Sequence, residues 1–496
     1  MIFLLNDSVS EKYKSIKIGY FIFHPYFTFF YYDKQCSTYP RELLLLTIDK
    51  NERKPNGALY KTIWRWHFYA GVIVAPFLMI LAITGSIYLF QPQIEQQLYQ
   101  EYYEVTPSEE KISADQQIAT VKKFYPEASV TSYRPGETDD RSSEVGISLN
   151  NETYTIFMDP YTGEEIGKLN NSDRIMGIIE KIHGELMIGT IGDRIVELVT
   201  CWAIVLIITG LYLWFPRKNR GMAGILYPRI KKGEKIFRRD LHAVPAFWVT
   251  AGMLFLIMTG LPWSGFWGNN FQNIVTNAGM GYPPSVWVGS APESITKTKE
   301  IADVPWAAEH FDVPTSTLQD YKSLSIDNLM QVAEREGLDP SYTIYIPQTK
   351  EGVYTFSAFP AKAQNEITMH IDQYSGAVLA DYRYDNYHLV GKIIAWGITL
   401  HKGTQFGIVN QLIGLLICLG IILTAVSGLY LWLKRKPSKK LGAPSAPSVK
   451  TMKGFLAILI LLGILFPLVG LSLIVVWLFD WLVIQRIPAM KQFFNA

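Results

Sequence analysis

HFYAGVIVAPFLMILAITG, residues 67–85, decides how the rest of the chain is read. It is an uncharged apolar run opened by a histidine and closed by a glycine 18 residues later. The same frame returns as HAVPAFWVTAGMLFLIMTG at 242–260, again with 18 residues from His242 to Gly260. A second echo places His183 27 residues before Gly210 and His401 27 residues before Gly428, where the glycines open GLYLWFPRK and GLYLWLKRK. Crossing about 30 Å of hydrocarbon takes a helix of about 20 apolar residues, so these runs read as membrane spans. A parallel repeat of this kind implies a pseudo-two-fold axis along the membrane normal.

Five stretches qualify as spans: Phe68–Phe90, Leu198–Phe215, Leu241–Phe266, Ile408–Leu433 and Phe455–Phe479. Pro467 divides the last, which is read as a single span with a helical hairpin as the alternative. The remaining composition fits a membrane protein. Of 496 residues, 49% are hydrophobic and 18% charged, against about 25% charged in soluble domains. The net charge of +2 excludes a strongly basic nucleic-acid binder. Three cysteines exclude a disulfide scaffold and any CxxC motif.

Lysine and arginine set the orientation. Lys50, Arg53, Lys54, Lys61 and Arg65 precede the first span. Arg217, Lys218, Arg220, Arg229, Lys231, Lys232, Lys235, Arg238 and Arg239 lie between the second and third. Lys434, Arg435, Lys436, Lys439 and Lys440 follow the fourth. By the positive-inside rule these segments are cytoplasmic. Residues 92–182 hold 17 acids against 8 bases and 267–388 hold 15 against 7, so both are expected outside. The amino terminus is then inside and the carboxyl terminus outside.

The expected organisation is an unassigned segment at 1–58, with an over-extended start as one reading of it, then span 1 in 59–91 and an outer module in 92–182. An outer histidine segment and span 2 fill 183–216, and a basic connector fills 217–240. Span 3 (241–266), a second outer module (267–388), and a histidine segment with span 4 (389–433) repeat the plan. A basic linker (434–453), span 5 (454–484) and an outer tail (485–496) complete it. The fold class is thus a mainly α membrane protein with duplicated transmembrane helix pairs and two outer α+β modules. In each module a Ser-capped helix start, Ser113 before Asp115 and Ser325 before Asp327, precedes alternating strands. DPYTGE at Asp159 and DQYSGA at Asp372 read as turns between those strands.

The repeat sorts the eight histidines. His67, His183, His242 and His401 occupy equivalent positions in the two halves, whereas His24, His310, His370 and His388 have no counterpart. A two-fold axis would bring His67 to face His242 and His183 to face His401. Paired imidazoles across a helix bundle are suited to the axial positions of haem iron, giving an expectation of two b-type haems, since no CxxCH occurs. Arg65, Arg238 and Arg239 at one face, and Arg194 and Lys402 at the other, are candidate propionate partners. The plainer reading is that the four histidines are inherited from a duplicated ancestor and serve only as hydrogen-bonding residues. His388 is a weak spare ligand, and the other three read as structural or solvated. GxGxxG, the P-loop, GxSxG and HExxH are all absent, so any electron donor would be a separate molecule.

The motifs WRWHFYAG around His67, KIHGELMIG at His183, RRDLHAVPAFW at His242, TGLPWSGFWG at 259–268 and LHKGTQFG at His401 resemble the bacterial PepSY-associated transmembrane family. The resemblance spans about Leu59 to Ile487 and makes the outer modules PepSY-like. It implies an inner-membrane di-haem b protein that passes electrons outward to ferric siderophore iron, which would dock between the two modules. An unidentified donor and siderophore-uptake proteins are the implied partners. Two other functions are compatible with the family. One is a non-redox protein that regulates extracytoplasmic peptidases. The other is an iron-chelate transporter, for which Gln405, Asn410 and Gln411 form the only modest polar cluster in a span.

Overall fold

The computed structural model describes residues 57–215, 222–281, 296–316, 322–444 and 449–495. His24 and the aromatic run around it, with Lys50, Arg53, Lys54, Arg217, Lys218 and Arg220, lie outside the described residues. The protein is a mainly α, multi-pass membrane protein. Five described helices are long and apolar enough to cross a membrane: Leu59–Tyr88, Gly189–Trp214, Glu234–Trp263, Ile408–Arg435 and Pro467–Ile484. We number them spans 1 to 5. Their lipid-facing positions expose large apolar side chains such as Ile73, Ile208 and Leu416, as expected where the surroundings are hydrocarbon.

The fifth span differs from the expected single crossing. Helix Val449–Leu465 ends at Phe466 (φ −125°, ψ 87°), and Pro467 starts the next helix. Proline fits the first turn of a helix because that N–H needs no helical partner. The two helices fold back on one another with the backbones of Gly463 and Gly470 in contact, so that a Cβ on Gly463 would lie 2.9 Å from Gly470 Cα. The result is a helical hairpin. The tail that follows bonds to Arg65 and Tyr69 near the start of span 1. It therefore lies near the start of span 1, at the end of the bundle remote from the sheet.

The segments between spans 1 and 2 and between spans 3 and 4 build one sheet. Strands β1 (Ser129–Arg134), β2 (Ser143–Leu149), β3 (Glu152–Met158) and β4 (Glu165–Asn170) come from the first half. Strands β5 (Thr343–Tyr345), β6 (Val353–Ala358), β7 (Ile367–Asp372) and β8 (Val378–Arg383) come from the second. The order is β4-β3-β2-β1-β5-β6-β7-β8 and every described neighbour is antiparallel. The halves join where Ser132 pairs with Tyr345 and Tyr133 with Ile344. The expected docking cleft between two separate modules is therefore replaced by a continuous ladder.

Helices Ala114–Phe124 and Ile326–Arg335 cover one face of this sheet and share its core with Val145, Ile147, Phe356 and Met369. Their starts follow the sequence reading. Ser113 accepts from the Gln116 N–H and Ser325 from the Asn328 N–H, both at 3.2 Å. Each helix also caps the other. The Asp327 carboxylate accepts from the N–H groups of Ala114 (2.8 Å) and Asp115 (3.3 Å). The Asp115 carboxylate accepts from those of Ile326 (3.1 Å) and Asp327 (3.3 Å). The two turns also form as expected: Asp159 accepts from the Tyr161 and Thr162 N–H groups, and Asp372 from those of Tyr374 and Ser375.

Candidate functional site

His67 and His242 lie on spans 1 and 3. His183 and His401 lie on short helices, Ile175–Glu185 and Leu389–His401, that precede spans 2 and 4. Helix Ile175–Glu185 ends in two consecutive left-handed residues, Leu186 (φ 50°) and Met187 (φ 60°). The chain then doubles back so tightly that a Cβ on Gly192 would lie 1.7 Å from the Glu185 carbonyl oxygen. No side chain fits there, and this reversal turns His183 toward the bundle.

Each imidazole rests on a small-residue seat in its partner span. His183 Nδ1 meets Thr84 Oγ1 at 2.9 Å, His67 Nδ1 meets Thr209 Oγ1 at 2.9 Å, and His401 Nδ1 meets Thr259 Oγ1 at 2.8 Å. Each of these threonine hydroxyls donates to the carbonyl four residues earlier, at 2.7–2.8 Å. With its proton so engaged, the hydroxyl accepts from the ring, which puts the hydrogen on Nδ1 and the lone pair on Nε2. His242 Nδ1 donates to the Thr424 carbonyl oxygen at 2.9 Å, giving the same tautomer.

The residue after each hydroxyl seat is glycine, and in the His242 seat the hydroxyl neighbour is Ser427 at 3.4 Å. A Cβ would meet the ring Cε1 at 3.3 Å on Gly85, 3.2 Å on Gly210, 3.3 Å on Gly260 and 3.1 Å on Gly428. The four glycines were visible in the sequence as spacing. Their pairing with Thr84, Thr209, Thr259 and Ser427 was the signal that would have revealed the seats. Replacing Gly210 by leucine should destabilise the full chain in detergent by about 2–3 kcal/mol through overpacking, while Thr209→Val should cost about 1 kcal/mol. Thermal unfolding checks both, and a leucine variant no less stable than the valine one would contradict the seat.

The rings of His183 and His401 stand 6.4 Å apart between centroids, at 80° to each other. His67 and His242 border a cavity of about 670 Å³ that is also walled by Trp64, Phe247 and Arg435. The cations expected at propionates are otherwise engaged. Arg65 donates to the carbonyls of Pro444, Phe494 and Asn495. Arg238 lies 3.5 Å from Glu234, Arg239 2.8 Å from Asp240, and Arg194 2.7 Å from Asp193. Lys402 sits over the rings of Tyr88 and Phe359. Among the described residues no three His, Cys, Asp or Glu side chains gather so as to hold a metal ion. The described cysteines, Cys201 and Cys418, are free and buried. The expectation of two b-type haems is corrected on these grounds.

The unmatched histidines take varied places. His370 is fully buried in β7 against Thr355 Oγ1 at 2.9 Å, and burial pushes its pKa down to about 3. His310 meets Lys299 at 2.8 Å, and burial followed by that lysine brings it to about 4. His388 stands just before helix Leu389–His401 without capping it through its side chain.

The family described as the PepSY-associated TM region matches residues 64–435. The chain belongs to that family. The matched region of this PepSY-associated protein includes all four seated histidines, both strand sets, span 1 from Trp64 onward and spans 2 to 4. Comparison with curated proteins gives no match.

Proposed function

We propose that this PepSY-associated protein is a non-redox membrane protein whose outer sheet binds and regulates extracytoplasmic peptidases. The observation that carries this reading is the continuous eight-stranded sheet, capped from both halves and built next to a membrane anchor. A rigid platform of this kind offers a partner a preformed surface, which lowers the entropic cost of association. Among the described residues its end strand β4 pairs with β3 alone and is partly exposed throughout. An extended segment of a peptidase can add to such an edge through main-chain hydrogen bonds.

The basic connectors favour the cytoplasmic membrane as location, with the sheet outside and the carboxyl-terminal tail inside. Reduction of ferric siderophores drew on the haems and is not carried forward. The transporter reading loses its polar cluster to structural roles. Gln411 exchanges hydrogen bonds with Gln93, Gln405 accepts from the Ala363 N–H and the Thr399 hydroxyl, and Asn410 donates to the Leu400 carbonyl.

The test is extracytoplasmic proteolysis of casein by cells with and without the protein. Loss of the chain should change the rate severalfold, and restoration of the full chain should reverse the change. A variant carrying Asp115→Ala and Asp327→Ala should fail to reverse it. Unchanged proteolysis in the deletion would refute the reading.

A further inference from the structure

We infer that the stretch after span 4 and the carboxyl-terminal helix together form a strap controlling access to the cavity beside His67 and His242. Two segments form it. The first is the stretch after span 4, which folds back so that the Trp432 indole N–H donates to the Leu441 carbonyl at 2.9 Å. Gly442, held at φ 85°, belongs to the cavity wall together with Tyr60, Trp64 and Arg435. These residues come from the ends of spans 1 and 4 remote from the sheet. The stretch therefore borders the cavity at that end.

The second segment is helix Pro488–Phe494 with Asn495. It grips the first at two points, through the Leu441 N–H on the Phe493 carbonyl (3.0 Å) and the Asn495 side-chain amide on the Ala443 carbonyl (3.1 Å). It is in turn fastened to span 1. Arg65 donates to the Asn495 carbonyl at 2.9 Å and the Phe494 carbonyl at 3.4 Å, and the Tyr69 hydroxyl donates to the latter at 2.8 Å. Arg65 also donates to the Pro444 carbonyl of the first segment. A guanidinium over the last carbonyls of a helix is favourable because those carbonyls lack helical partners and carry the negative end of the dipole.

The fastening consists of hydrogen bonds at a partly exposed surface. Each contributes little against water, about 1 kcal/mol, so the strap can open without unfolding the bundle. Holding it closed depends on several weak bonds acting together. The hairpin of helices Val449–Leu465 and Pro467–Phe479 is what returns the tail to this end. This inference is independent of what the outer sheet binds.

Cysteine reactivity tests it in the full-length protein. Thr250 borders the cavity, and Thr250→Cys in a Cys36→Ser background places a thiol there, with buried Cys201 and Cys418 as the background signal. A small methanethiosulfonate reagent should label this thiol about tenfold faster when Arg65→Ala or Tyr69→Phe loosens the strap. A lock made by Leu441→Cys with Phe493→Cys should slow labelling about tenfold when oxidised, and dithiothreitol should restore it before the reagent is added. Equal rates with the lock closed and open would overturn the inference, whatever Arg65→Ala does to folding.

Discussion

Replacing Asp115 by alanine should lower the stability of the eight-stranded sheet by about 2 kcal/mol, and Asp327→Ala should do the same. Removing an N-cap costs about 0.5–2 kcal/mol, and hydrogen bonds to a charged acceptor lie at the upper end of the usual range. Each carboxylate accepts from two N–H groups of the opposite helix. The double variant should cost less than the sum of the two singles, because the caps form one reciprocal unit. Chemical denaturation followed by proteolysis of the sheet region measures this, and a strictly additive double variant would show that the caps act separately.

The same unit gives a pH dependence with a definite sign. Burial pushes the Asp327 carboxyl up, but the adjoining Asp115 side chain and the N–H groups of Ala114 and Asp115 outweigh it and hold the pKa below the ordinary value of 3.8. A depressed folded-state pKa contributes stability that is present above the unfolded value and is lost as pH falls through the folded one. The sheet should therefore weaken below about pH 4, and Asp327→Asn should flatten that part of the curve.

Asp240→Ala should be the most damaging single change at the opposite end, at about 3–5 kcal/mol of local stability. Asp240 is fully buried and accepts from Arg229 through the main-chain N–H (3.1 Å), Nε (2.7 Å) and Nη2 (2.8 Å), and from Arg239 Nη2 (2.8 Å). Truncating it leaves two guanidinium groups without their shared counter-charge, and Arg229 is itself mostly buried. Asp240→Asn retains acceptor capacity and should cost less. The readout is tryptic cleavage at Lys231 and Lys232 in membranes that expose this connector. Cleavage should accelerate severalfold in the alanine variant, and an unchanged rate would show that other contacts hold the connector.

The sequence made the membrane class, four of the spans, the duplication and the capped helix starts legible, because each depends on neighbours within a few turns of chain. Hydropathy over 20 residues or a serine one residue before a helix is a local signal. It also grouped His67, His183, His242 and His401 correctly as a set of equivalent residues. It did not reveal their surroundings, because that environment is not local. The seat of His183 is Thr84 and Gly85, 99 residues away for the threonine, and the seat of His67 is Thr209, 142 residues away. The arginines assigned to propionates have their partners in carbonyls and acids that charge counting does not reveal, as with Arg65 and the Asn495 carbonyl.

By itself the sequence determined that this chain enters the bilayer, that it does so twice by the same plan, and that each plan carries an α+β unit. Tertiary structure decided the rest. It joined the two units through the β1–β5 pairing and the exchange of caps between Asp115 and Asp327, more than 200 residues apart. It also folded the fifth apolar stretch into a hairpin, because Gly463 and Gly470 let two helix backbones meet across the break at Phe466. Propensity and hydropathy act along the chain, whereas register, reciprocal capping and close backbone approach depend on which surfaces meet, and only the folded molecule brings them together.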